Sequence, residues 1–287
     1  MKLLGLVLTV GLVGVVGGAK AETYQVGGPG ADFQTIGGAM GVAGPGDLVI
    51  VFQGTYRESV TVPSGVTLQG FAPLDPSSRD ATVVSGDFDN DGQADAGTVI
   101  TVSSGARLFG VTVEFGGTGV SAVENTILEN IRARHCGTGI STDASLMSSV
   151  ASDCSYVGIY GSDDAVITGC TSSGNQGSGI TGNADVSGCT ARNNDANGIE
   201  GSTIASSVSE DNDGTGYFVR ESASGLSSVR NGIGFGAAAG AVLTDCDSID
   251  AAGDGFSATS GSGLLRLVRC VAQGSGESGC VISVESE

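Results

Sequence analysis

The sequence is 287 residues long and carries 31 Asp and Glu against 12 Lys and Arg, a formal charge of −19 at pH 7. So acidic a surface repels nucleic-acid phosphates and anionic lipid, which excludes those partners, and it suits a salty or calcium-rich exterior where counterions screen self-repulsion. The 50 glycines follow no G-X-Y period and lie among Val, Ile and Leu at regular intervals, which excludes collagen and argues against disorder.

Residues 1–21 read as a signal peptide. Lys2 gives a positive start, Leu3 to Val16 is an apolar run too short to span a bilayer, and Ala19-Lys20-Ala21 is an A-x-A cleavage site. Cleavage predicts a secreted, extracellular or cell-surface chain from Glu22, without membrane insertion and without lysine. Residues 22–70 are expected to supply an N-terminal cap and first rungs. Asp32 caps a short helix from Phe33 to Ala43 with Phe33, Ile36, Met40 and Ala43 on one side, and Gly44-Pro45-Gly46 stops it. Strands follow at Leu48 to Phe52, Ser59 to Val62 and Val66 to Leu68. A helix over the first rung covers an edge that would otherwise invite pairing.

Residues 71–97 read as an inserted loop with a calcium-type motif, Asp87, Asp89, Asp91, Gln93 and Asp95, turning at Gly92. Oxygen donors at alternate positions around a glycine can wrap a hard cation. Thr98 stands where an EF-hand has its bidentate Glu. The expectation is therefore a weaker, structural Ca²⁺ that orders a protruding loop, and it is the one cofactor the sequence implies.

From residue 98 to 287 a short phrase recurs: Gly119-Val120, Gly139-Ile140, Gly158-Ile159, Gly179-Ile180, Gly198-Ile199, Gly216-Tyr217, Gly232-Ile233, Gly255-Phe256 and Gly279-Cys280. A period of roughly 20 residues, with strands of two to five residues between turn formers, predicts a solenoid of stacked rungs. Asn175, Asn194, Asn212 and Asn231 recur at 18 or 19 residues, a spacing that stacks them at one turn, where Asn tolerates left-handed backbone and bonds along the stack. Cys170 and Cys189 hold equivalent places in adjacent units with Ser207 next, and Cys136, Cys154, Cys246 and Cys270 fall near that place elsewhere. An interior thiol ladder is favoured over a disulfide framework, with a Cys170–Cys189 bridge within reach, and the odd count of seven leaves at least one cysteine over. The last residues, Val281 to Glu287, carry no closing cap, which predicts chain-end association at the last rung.

Val26-Gly27-Gly28-Pro29-Gly30-Ala31-Asp32-Phe33-Gln34-Thr35-Ile36, Pro45-Gly46-Asp47, Gly54-Thr55-Tyr56-Arg57-Glu58-Ser59-Val60 and Gly65-Val66-Thr67-Leu68-Gln69-Gly70 together resemble the capping segment and first rungs of the pectin-lyase-like superfamily. The resemblance implies an all-β fold, a right-handed parallel β-helix with a short N-terminal capping helix. That superfamily holds lyases, hydrolases, esterases, epimerases, adhesins and non-catalytic proteins, so fold does not decide function. In its pectate-lyase-like members an arginine base works with calcium beside a uronate carboxylate. Arg132, Arg134 and His135, the densest basic cluster, are the candidates for catalytic roles here, with Asp143 and Asp153 in adjoining turns. Against catalysis stand a single histidine, the absence of Trp and short rungs that leave few loops to wall a cleft. The reading is a secreted, calcium-stabilised β-helix, a non-catalytic surface or matrix protein binding polysaccharide, cell-surface glycan or other partners. The competing reading is a lyase or epimerase of acidic polysaccharide.

Overall fold

The computed structural model describes residues 20–71, 75, 79–258 and 265–276. The expected signal peptide, apart from Lys20 and Ala21, and the expected uncapped end at 281–287 lie outside the described residues.

Among the described residues, short strands form one 20-stranded and one 11-stranded sheet. Neighbouring strands are parallel, and a parallel pair cannot be joined by a hairpin, so the chain coils. Each turn gives one strand to each of three faces. One turn supplies Ser145–Met147, Val150–Ser152 and Val157–Gly161, and the next places Val166–Thr168, Thr171–Ser173 and Ile180–Gly182 against them. Right-twisted parallel strands connect right-handedly, and the result is the expected right-handed parallel β-helix.

The Gly-Ile phrase is the third face. Ile100, Val120, Ile140, Ile159, Ile180 and Ile199 stack in register and are fully buried. Tyr217, Phe235 and Phe256 continue the column as stacked rings, with centroids 5.1 and 4.9 Å apart. The first face points Leu108, Leu128, Leu146, Ile167 and Val186 inward. Each such side chain contributes about 1.5–3 kcal/mol on burial, so these two columns carry most of the core. From Ala133 onward the second face offers only small residues, Ala133, Ala151, Ser172, Ala191 and Ser209. Space explains the recurrent glycine, because a Cβ on Gly158 would stand 1.9 Å from the Ser172 hydroxyl oxygen and one on Gly198 2.0 Å from that of Ser209.

Both corners flanking the second face use one device, a residue with left-handed backbone followed by one that points inward. At the far corner the pairs are His135-Cys136, Asp153-Cys154, Gly174-Asn175, Asn193-Asn194, Asp211-Asn212 and Arg230-Asn231. At the near corner they include Gly169-Cys170, Gly188-Cys189, Ser206-Ser207 and Asp245-Cys246. Two sequence readings change here. The left-handed residue is the one before each ladder asparagine, not the asparagine. Cys136 and Cys154 belong to the asparagine column at the far corner, and only Cys170, Cys189, Cys246 and Cys270 share the near one. All six described cysteines are free thiols. The acidic turn Glu210-Asp211-Asn212-Asp213 belongs to the ladder as well, since Asn212 is buried while Glu210 and Asp211 bind the guanidinium of Arg230.

Toward the N-terminus the differences are local. The helix is Ile36–Met40, shorter than Phe33 to Ala43, and its N-cap is Thr35, whose hydroxyl accepts from the Gly38 N–H. Asp32 accepts from the Gln25 N–H instead. The first helical N–H groups, on Ile36 and Gly37, donate to the carboxylate of Glu58 at 2.8 Å each, which satisfies donors a short glycine-rich helix leaves open. A strand unforeseen in the sequence, Gly54–Arg57, starts the second face, and Thr82–Ser85 continues it through the segment expected to be one insertion.

Asp47 ties the first turns together, accepting from the N–H groups of Glu22 and Gly44 at 2.8 Å each. Those two bonds, Glu22 first, hold its carboxyl below the usual range. A carboxyl lowered by folding stabilises the fold above its unfolded pKa and loses that contribution as pH falls through the folded value. Urea titrations at pH 7 and pH 3 should therefore show a smaller pH dependence for Asp47→Asn than for the wild type. Equal dependence in both would assign the acid sensitivity elsewhere.

Candidate functional site

Between Thr82–Ser85 and Ala96–Val102 the chain leaves the helix and returns. Asn90 and Gly92, at φ 65° and 83°, provide the two left-handed steps that fold this loop on itself. The carboxylate of Asp87, 4% exposed, accepts from the N–H groups of Asp91 and Gly92 at 3.0 and 3.1 Å. Asp95 accepts from the Phe88 N–H at 2.7 Å, and the Arg57 guanidinium donates to the side-chain oxygen of Asn90, fastening the loop to an earlier turn. Of the five predicted ligands, Asp87, Asp89 and Asp95 converge, with one carboxylate oxygen from each within 4.8 Å of the others. Asp91 lies outside that group and accepts from the Gln93 N–H at 2.8 Å, and Gln93 faces a neighbouring cleft.

Three carboxylates this close repel one another, and a cation among them would relieve that repulsion. The donors are all hard oxygens on a loop of adjustable shape, which fits calcium, with backbone carbonyls or water able to complete its shell.

The same loop walls an open cleft of about 450 Å³. Gln93 stands on one side. Phe115, His135 and Tyr156, from three successive turns, line the rest, together with Asp153 and a glycine floor. The Phe115 and His135 rings stack with centroids 5.5 Å apart and planes inclined by 22°, and Tyr156 is 70% exposed. Phe115 and His135 both hold left-handed backbone, at φ 55° and 53°, on a corner where later turns place Asp153, Gly174, Asn193, Asp211, Arg230 and Asp250. That conformation costs a side chain about 1–2 kcal/mol, and such strain gathers at functional positions. Beneath the cleft Cys136 is buried, and burial pushes its thiol up to about 11, so it is no nucleophile at neutral pH.

The three candidates for catalysis do not converge. Arg132–Arg134 is a strand of the second face with Ala133 inward and both arginines outward. Arg132 pairs with Asp80, and Arg134 pairs with Glu114 at 2.9 Å. His135 enters the cleft beside Asp153, which occupies the equivalent place one turn on. Asp143 lies at another corner, in a separate acidic cleft with Glu124 and Asp164. Phe115 and Tyr156 are the site residues the sequence reading missed. The signal was present, since Phe115 follows Glu114, the in-register partner of Arg134, but it appears only once the turns are aligned.

No family model matches the sequence, and no curated protein is similar to it. Solved structures are. The Dettilon tailspike protein gp208 superposes with a TM-score of 0.54 at 12% identity, over 79% of this chain and 54% of that one, so this chain spans about half its length. The A-module of the Azotobacter vinelandii mannuronan C-5 epimerase AlgE6 gives 0.50 at 14% identity, over 85% and 93%. Pectate lyase Pel9A gives 0.47 at 13% identity, over 91% and 82%. What this chain shares with the tailspike protein and the epimerase module is the fold, a parallel β-helix. Among the described residues no helix is long and apolar enough to cross a membrane.

Proposed function

We propose that this chain is a secreted, calcium-stabilised β-helix that binds glycan in the cleft between the acidic loop and the Phe115–His135 stack, and that it acts as a binding protein and not as a catalyst. One observation carries the reading: three rings from successive turns, Phe115, His135 and Tyr156, line one open cleft. Sugar rings stack on such surfaces through their C–H faces while hydroxyls find nearby acceptors, and Gln93 and Asp153 stand within the same cleft. The fold's appearance in a mannuronan epimerase and a tailspike protein agrees with a role at polysaccharide. Calcium is assigned to Asp87, Asp89 and Asp95, where it orders the wall carrying Gln93. The non-catalytic reading rests on Arg132 and Arg134, whose charges are taken up by Asp80 and Glu114.

Isothermal titration with neutral glucans, pectate and alginate oligosaccharides, in calcium and in chelator, tests this. Binding is expected, and Tyr156→Ala should weaken it about 3- to 10-fold, the value of roughly 0.5–1.5 kcal/mol for one aromatic contact. Unchanged affinity in that variant would remove the cleft from the function. Unsaturated uronate absorbance that disappears in Arg134→Ala would replace the binding reading with a lyase.

A further inference from the structure

The six described cysteines fall into three pairs on neighbouring turns: Cys136 with Cys154 at the far corner, and Cys170 with Cys189 and Cys246 with Cys270 at the near one. In the middle pair a backbone N–H of one cysteine meets the sulfur of the other. Thr168 and Ser187 are in-register partners, and two residues on, both thiols point into the core at 1% exposure. The Cys170 N–H donates to the Cys189 sulfur at 3.3 Å. The same bond recurs along this column wherever the polar ladder runs, with the Ile131 N–H donating to the Ser149 hydroxyl at 3.0 Å and the Cys189 N–H to that of Ser207 at 3.1 Å. The column thus reads Ser149, Cys170, Cys189, Ser207. Serine serves its hydrogen bonding on either side, which leaves the choice of two adjacent sulfurs unexplained by hydrogen bonding alone.

We propose that Cys170 and Cys189 are a redox pair that closes into a disulfide between adjacent turns when the protein meets an oxidising exterior. Neighbouring parallel strands lie about 4.8 Å apart, inside the Cα range a disulfide spans but wider than its ~3.8 Å Cβ separation. The bond therefore draws two rungs together and is more easily reduced than a relaxed one. The step takes place during folding, while these two turns are still open to solvent: the Cys189 thiolate attacks an external small-molecule disulfide such as oxidised glutathione and releases one thiol. The Cys170 sulfur then attacks the Cys189 sulfur of the mixed disulfide, gives up its proton and releases the second thiol. Two cysteine thiols are oxidised and one external disulfide is reduced to two thiols. The product locks one turn of the stack at its middle.

The test uses the full chain folded in a glutathione redox buffer, alkylated under denaturing conditions and mapped by mass spectrometry. A Cys170–Cys189 cross-linked peptide, 2 Da lighter than the summed thiol peptides, is expected. Cys170→Ser/Cys189→Ser should fold, because serine already occupies the column one turn away on each side. Its urea midpoint should lie below that of the oxidised wild type, and the gap should close when reductant is added. Full alkylation of both cysteines after oxidative folding, or a gap indifferent to reductant, overturns the proposal. Should the double variant fail to fold, the peptide map of the wild type decides alone.

Discussion

Asn194→Ala should cost this protein about 3–5 kcal/mol, since each buried donor left without a partner costs ~1–3 kcal/mol and truncation adds a cavity. The Asn194 side-chain oxygen accepts from both the backbone N–H and the side-chain amide of Asn175, at 3.2 and 2.8 Å, and its own amide donates to the Asn212 oxygen at 2.7 Å. Asn194 is 1% exposed, so water cannot replace the lost acceptor. The Asn175 amide keeps its bond to the Ser172 hydroxyl at 3.0 Å, but the Asn175 N–H keeps nothing equivalent. At 2–4 °C per kcal/mol for a domain of this size, the melting temperature should fall by roughly 10 °C. A second consequence follows from the solenoid, whose stability is a sum of turn and interface terms. Weakening one interior interface should broaden the transition or split it, because turns on either side lose their coupling. Asn183→Ala is the matched control, an asparagine bonded to Asp163 at the exposed edge, and it should change stability by less than about 0.5 kcal/mol. Comparable losses in the two variants would show that the ladder contributes nothing beyond ordinary surface bonding.

Much of this architecture is legible in the sequence because it is one-dimensional. A spacing of 18 or 19 residues between ladder asparagines can place them only one above another once the coil is assumed, and the Gly-Ile phrase marks both the inward column and the glycine that leaves room for the second face. What the sequence conceals is phase. Cys136 and Cys170 look alike as residues two positions past a three-residue strand, yet they occupy opposite corners, since nothing local says which of two similar corners a left-handed residue makes. Phe115, His135 and Tyr156 are hidden for the same reason: Phe115 and His135 align across turns 20 residues apart, while Tyr156 lies three residues past Asp153, the position aligned with His135. Arg132 and Arg134 mislead in the reverse sense. Clustered in sequence, they sit on one strand and each finds a separate acidic partner from an earlier part of the chain. Asp80, one of those partners, belongs to a short 3₁₀ turn, Arg79–Ala81, that carries no periodic signal. Helix length fails through capping: Glu58, 22 residues beyond Ile36, supplies the acceptor that a local reading assigns to Asp32.

The proposed calcium makes the second large prediction. Adding chelator should lower the melting temperature by about 5–10 °C, because a ligand at 100 times its dissociation constant stabilises by about 2.7 kcal/mol and each kcal/mol moves a domain of this size by 2–4 °C. Asp87→Ala confounds that measurement, since its buried carboxylate also accepts two backbone N–H groups. Asp89→Ala is the cleaner variant, exposed and holding only the Asp91 N–H at 3.2 Å. It should melt where the chelated wild type melts and gain nothing from added calcium. Asp91→Ala separates the two accounts of the loop. The alternating pattern makes Asp91 a ligand equal to the others, whereas the folded loop gathers Asp87, Asp89 and Asp95 and leaves Asp91 to cap the turn at Gln93. The folded geometry predicts that Asp91→Ala loses some stability but keeps its response to calcium. Loss of that response would mean that the loop closes around the ion with the alternating set. In either event the cleft is coupled to the ion through Gln93, so the calcium that raises the melting temperature should also tighten glycan binding, and Asp89→Ala should abolish both effects together. Calcium-dependent melting with calcium-indifferent binding would place the glycan elsewhere on the helix.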